Sequence, residues 1–222
     1  MELNTVIFDM DGLLIDSEPS WEEAGKLALE DFNITLNHEE YASTVGLRTK
    51  EWIDWWFTRF GVDRKHAMQA ERSIIDNAIR IIGEKAMPMP GVGHILSFFK
   101  ARGFQIGLAT SSPIALVEVV AEKLGIADEL KMISSAENLV HGKPHPEVYL
   151  DCAKGLNVSP LQCICFEDSF NGMIAAKAAR MKCVVIPAEH HATNLKFGAA
   201  DLRLNSLLEF DEECLSRLSN HL

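Results

Sequence analysis

No stretch of this 222-residue chain holds the roughly 20 consecutive apolar side chains needed to cross a bilayer. The opening Met1-Glu2-Leu3-Asn4-Thr5 has no basic run and no cleavage signal for export, so the chain is read as cytoplasmic. Cysteines are few, odd in number and without a CxxC pair. Cys152, Cys163, Cys165, Cys183 and Cys214 sit mostly among apolar neighbours, as in Cys163-Ile164-Cys165-Phe166. That pattern argues for reduced core residues and against disulfides or a zinc site. Positive charge is also short: 21 Lys and Arg face 32 Asp and Glu, for a net −11. Nucleic acid is therefore an unsuitable partner, because its affinity comes from neutralised phosphates. A small anion is not excluded, since beyond about 8 Å the global field is screened and local residues decide. Neither repeats nor low-complexity stretches occur, and 47% hydrophobic with 24% charged residues excludes disorder.

What is present alternates. Thr5-Val6-Ile7-Phe8 is an unbroken apolar run, the mark of a parallel strand covered on both faces. From about Asp16 to Glu84 the period becomes helical. Trp21, Ala24, Ala28 and Phe32 fall on one face, as do Trp52, Ile53, Trp56, Phe57 and Phe60. Met87-Pro88-Met89-Pro90-Gly91 ends that stretch. Helices are then expected at 92–102, 113–124, 146–156, 170–179 and the C-terminus. Strands are expected at 104–109, 131–134, 162–166, 182–186 and 201–204. Connections in α/β units usually take 2–6 residues, so nearly 70 helical residues after the first strand imply an inserted domain. The expected architecture is α/β: a Rossmann-like parallel-sheet core, 1–15 and 86–222, with an all-helical cap at 16–85.

Chemistry gathers at the strand ends. Asp9 and Asp11 follow the first strand two residues apart, and in a strand that spacing puts both carboxylates on one face. Carboxyl ends of parallel strands are also where open α/β sheets bind ligands. Read alone, the pair fits a turn before Gly12 equally well. Glu167 and Asp168 repeat the arrangement after Cys163–Phe166, with a helix N-cap at Asp168 or Ser169 as the other reading. Together the four acids form an oxygen-rich cluster suited to a hard cation, Mg²⁺ above all. After the second core strand, Ser112 reads as an N-cap and Pro113 as the first helical residue. Thr110, with the Ser111 amide beside it, suits a phosphate oxygen at a helix N-terminus. Lys143 lies in the proline-stiffened His141-Gly142-Lys143-Pro144-His145-Pro146, which gives His141 and His145 no helix on which to share a metal. They and His190-His191 are read as surface residues. Four carboxylates against one ammonium could not admit a phosphate dianion unaided, so a divalent ion and a protonated Asp11 are both physically motivated.

In order, Phe8-Asp9-Met10-Asp11-Gly12, Leu108-Ala109-Thr110, Gly142-Lys143-Pro144 and Phe166-Glu167-Asp168-Ser169 resemble the four signature motifs of the haloacid-dehalogenase superfamily. The helical insert resembles the cap of its β-phosphoglucomutase-like subgroup. Asp16-Ser17-Glu18-Pro19, Ser135-Ala136-Glu137 and Val148-Tyr149-Leu150-Asp151-Cys152-Ala153 are similar to 2-deoxyglucose-6-phosphate and hexitol phosphatases.

The resemblance implies a Mg²⁺-dependent phosphatase in which Asp9 forms an aspartyl-phosphate and Asp11 acts as acid, then base. Thr110, Ser111 and Lys143 would bind the phosphoryl group of a small phosphorylated metabolite. Asp9, the Asp11 carbonyl and Asp168 would ligate the metal, with Glu167 supporting it. Arg48 and Glu18 are candidate cap contacts to substrate, Arg48 being equally readable as a solvated helix start, and Trp21 is read as packing. A mutase of this subgroup is the alternative, but the histidine and lysine it would need correspond to Trp21 and Val45. Dehalogenases lack the second motif-one aspartate, which is Asp11 here. A non-catalytic binding protein is the second alternative, against which the intact Asp9, Asp11 and Lys143 stand. Size and fold suit a monomer, without nucleic-acid or membrane partners.

Overall fold

A computed structural model describes residues 2–44, 47–188 and 194–220. Val45 and the His190-His191 pair lie outside the described residues. Strands β1 (Thr5–Phe8), β2 (Gln105–Thr110), β3 (Met132–Ser135), β4 (Cys163–Glu167), β5 (Lys182–Val185) and β6 (Leu202–Arg203) form one parallel sheet, ordered β3-β2-β1-β4-β5-β6. The expected fold class is borne out. The order reverses direction between β1 and β4, and such a switch point opens a crevice at the strands' carboxyl ends. Phe8 pairs with Phe166 across that junction, so Asp9 and Glu167 emerge side by side.

The apolar strands need covering on both faces, and side-chain alternation sorts them accordingly. Val6, Phe8, Leu108, Ile164, Phe166 and Val184 face one core, where Phe166 stacks with Phe8, Phe99 and Phe210 at 5.0–5.7 Å between ring centres. Ile7, Ala109, Cys163, Cys165, Cys183 and Val185 face the other. All five cysteines are free and buried, as their apolar surroundings imply.

Helices α1 (Glu18–Glu30), α2 (His38–Ala42), α3 (Thr49–Phe60) and α4 (Ala67–Lys85) fill the span before α5 (Val92–Lys100), and among the described residues no strand interrupts them. Ala28, Leu29, Trp52, Ile53, Trp56 and Phe57 build a core of their own. Ala78, Ile81 and Ile82 of α4 instead join the sheet's core. Phe60, expected on the buried face of α3, is 43% exposed at its last turn. Then follow α6 (Ile114–Leu124), α7 (Glu147–Gly155), α8 (Phe170–Ala178) and α9 (Glu212–Asn220). α6 begins later than expected: Pro113 is the residue before it and Ser112 caps nothing.

Candidate active site

Lys143 organises the site. Its buried ammonium donates to Asp9 Oδ1 at 2.6 Å, Glu167 Oε1 at 2.6 Å and the Ala109 carbonyl at 3.1 Å. Three donors on one charged nitrogen meet three acceptors at three different strand ends, so the lysine is fully satisfied. A loop lysine is usually solvated; only 7% of this one is exposed. Glu167, fully buried, accepts on Oε1 from Lys143 and from the Tyr149 hydroxyl at 2.5 Å. Its Oε2 accepts from the Ser169 amide at 3.3 Å and hydroxyl at 3.1 Å. Ser169 in turn caps α8 by accepting from the Gly172 amide, settling which residue is the N-cap.

Asp9, Glu167 and Asp168 each offer an oxygen within 4.8 Å of the others. The donor set is all carboxylate, which fits a hard divalent cation. Gly12, at φ +71°, is needed beside it: a Cβ there would run into Asp168 Oδ2. Because Glu167 already has donors on both oxygens, Asp9 and Asp168 are the better placed ligands. The Asp11 carboxylate, grouped with them on sequence, is not part of this cluster.

Burial raises Asp9 to about 8, with Lys143 opposing and the neighbouring Glu167 and Asp11 adding to the rise. Burial pulls Lys143 down, but Asp9 and Glu167 carry it upward overall. Asp168 is likewise pushed well up by burial and by Asp9 and Glu167. These directions describe a pocket with too little positive charge for its acids.

Asp11 points the other way. Its Oδ1 accepts from Ser17 Oγ at 2.7 Å and Trp21 Nε1 at 2.8 Å, and its Oδ2 from Ser112 Oγ at 2.6 Å. Two sequence-based readings are corrected here. Trp21 does more than pack: α1 aims its indole N–H at Asp11, and a half-buried indole needs such a partner. Ser112, expected to cap α6, binds Asp11 instead, because Pro113 holds an extended φ/ψ and starts the helix one residue later.

A cavity of ≈120 Å³ joins these groups and suits a small molecule. Asp9, Asp11, Thr110, Ser111, Lys143 and Asp168 line its floor; Glu18, Trp21, Tyr41, Arg48 and Trp52 line its helical wall. The Thr110 hydroxyl accepts from the Ser112 amide at 3.0 Å, which leaves its own proton for a ligand. Burial, then Asp11, Asp16 and Glu22, raise Glu18 to about 7. Arg48 is not a solvated helix start: its side chain is 18% exposed and reaches the loop before Lys143. His141 and His145 are exposed, their rings 4.7 Å apart. Sequence reasoning missed Ser17 and Ser112 as partners of Asp11, and Tyr149 as a partner of Glu167.

The haloacid dehalogenase-like hydrolase family model matches residues 3–180. The chain belongs to that family. It is 39% identical over 209 residues to hexitol phosphatase B of Escherichia coli (strain K12), covering 94% of each chain. It is 28% identical over 186 residues to the fructose-1-phosphate phosphatase of the same organism, covering 81% of this chain and 94% of the other. β-Phosphoglucomutase from Clostridium difficile superposes with a TM-score of 0.86 at 26% identity, covering 99% of this chain and 98% of that one. Family and phosphatase relatives together make the chain a hydrolase of phosphoric monoesters.

Proposed function

We propose that the chain is a Mg²⁺-dependent phosphatase of sugar or hexitol phosphates, 2-deoxyglucose 6-phosphate among them, working through an aspartyl-phosphate. The observation that carries this reading is the buried Lys143 bridging Asp9 and Glu167 on the cavity floor. Asp9 Oδ1 is held by Lys143, which leaves Oδ2 to attack phosphorus. As the P–O bond to the sugar breaks, the leaving oxygen takes a proton from Asp11. Water then attacks the aspartyl-phosphate, gives a proton back to Asp11, and frees the Asp9 carboxylate and inorganic phosphate. Thr110 and Ser111 orient the phosphoryl oxygens, joined by Lys143, which exchanges its longest bond, 3.1 Å to the Ala109 carbonyl, for one of them.

Trp21 Nε1 can only donate, so Asp11 Oδ1 stays an acceptor and the transferable proton belongs on Oδ2, where the Ser112 hydroxyl can turn to accept it. Asp9 and Asp168, with Glu167 behind them, would hold Mg²⁺, joined by the Asp11 carbonyl as the family resemblance implies. When bound, Mg²⁺ supplies the countercharge that keeps these acids ionised and polarises the phosphoryl group.

The hexitol and sugar-phosphate specificities named for two relatives support the substrate class, as does a helical wall offering Glu18 and Tyr41 to hydroxyls. We also propose that 16–85 forms a cap over a core of 1–15 and 86–222, supported by the separate core of α1 and α3. The test is phosphate release from p-nitrophenyl phosphate and a panel of sugar and polyol phosphates, with and without Mg²⁺. Asp9→Asn should reduce turnover by at least about 10⁴-fold, the scale on which nucleophile removal acts. Undiminished activity in that variant would sink the mechanism.

A further inference from the structure

Two cations line the cavity among the described residues, and Lys143 is committed to the reacting phosphate. Arg48 is therefore the one group there able to bind a second anionic end of a substrate. Its guanidinium, however, is saturated. Nε donates to Glu51 Oε1 at 3.0 Å and Nη2 to the same oxygen at 2.6 Å. Nη1 donates to the carbonyls of Leu139 at 2.9 Å and Ala136 at 3.4 Å, and Nη2 also to that of Val140 at 3.4 Å. A guanidinium has five N–H donors, and these five hydrogen bonds, made to four acceptor oxygens, use them all. Gly142 lets the side chain lie flat against the Lys143 loop: a Cβ there would meet Arg48 Cδ and Nε at 2.8 Å. Glu51 also cancels the charge, and its Oε2 accepts from the Arg48 amide at 3.2 Å, fixing the pair at the start of α3.

We infer that Glu51 is a specificity-determining residue: by occupying Arg48 it restricts this phosphatase to substrates with a single phosphate and an uncharged remainder. The inference rests on the phosphatase reading. The rest of the cavity agrees, because among the described residues it offers no third cation to a second phosphate. Neutral hydroxyls need none, and Glu18 and Tyr41 can bond them.

The test compares kcat/KM for fructose 6-phosphate with fructose 1,6-bisphosphate, and glucose 6-phosphate with glucose 1,6-bisphosphate, by phosphate release. The wild type should favour the monophosphates by at least about tenfold, the factor one hydrogen bond to a charged group supplies. Glu51→Gln keeps a side chain that can cap α3 but removes the charge, and Glu51→Ala removes the acceptors as well. Both should raise bisphosphate turnover relative to monophosphate by a similar factor, and adding Arg48→Gln should cancel the gain. Equal wild-type turnover of the two classes would overturn the inference, as would an unmoved ratio in both Glu51 variants. If no phosphate is released from any of these, p-nitrophenyl phosphate included, the phosphatase reading itself fails first.

Discussion

Asp11 receives three hydrogen bonds from residues on three different segments: Ser17 ahead of α1, Trp21 within it, and Ser112 after β2. A carboxylate so held has one orientation, and a general acid works only when its proton starts near the leaving oxygen. Trp21→Phe tests the weight of this clamp, since phenylalanine keeps most of the packing on both hydrophobic clusters and deletes only the indole donor. A hydrogen bond to a charged group is worth about 1.5–3 kcal/mol. Steady-state kinetics should therefore show kcat reduced by about 10–100-fold with KM little changed. A rise in KM at constant kcat would make Trp21 a substrate contact instead.

At the level of elements, β1 was readable to the residue because an unbroken apolar run before two acids has few alternatives. The other strands shifted by a residue or two, since a parallel sheet hides its limits in pairing rather than in composition. Local helix rules failed where a distant acid outbid the helix end. Ser17 holds the cap position of α1 and Ser112 precedes that of α6, yet neither side chain caps; each donates to Asp11, 101 residues away for Ser112. Likewise the Arg48–Glu51 spacing is visible in sequence, but the carbonyls at 136–140 that complete it come from the far side of the chain. The clustered acids and Thr110 were legible because each stands at a strand's carboxyl end, and Lys143 only through the motif it resembles; their supports were not, because they come from folding. The same holds for α4, whose Ile81 belongs to the sheet's core rather than to that of the other inserted helices. Ile81→Ala should cost about 2–5 kcal/mol, the range for a large buried aliphatic. A urea midpoint unchanged by that substitution would mean that α4 does not anchor the insert to the sheet.

The whole molecule carries a net charge of −11, and at the site Asp9, Glu167 and Asp168 gather around a single lysine, which pairs with the first two. Stability should therefore depend on pH in a definite direction. Unfolded carboxyls titrate near 4, whereas burial raises folded Glu18 to about 7 and Asp9 to about 8. Groups raised in the folded state stabilise fully below pH about 4, and that contribution disappears as pH climbs towards 8. In chelator, then, the melting temperature should fall across this interval. A cation that binds only the folded protein adds about 2.7 kcal/mol at 100 times its Kd, or roughly 5–10 °C for a chain of this size. It must displace the protons that Asp9 and Asp168 retain at low pH, so its effect grows as they leave. Calorimetry with and without Mg²⁺ should thus show a larger increase at pH 8 than at pH 5, and Asp168→Asn should remove most of it. Equal increments at the two pH values would mean that Mg²⁺ acts away from these acids, and the assignment of Asp9 and Asp168 as its ligands would have to be given up.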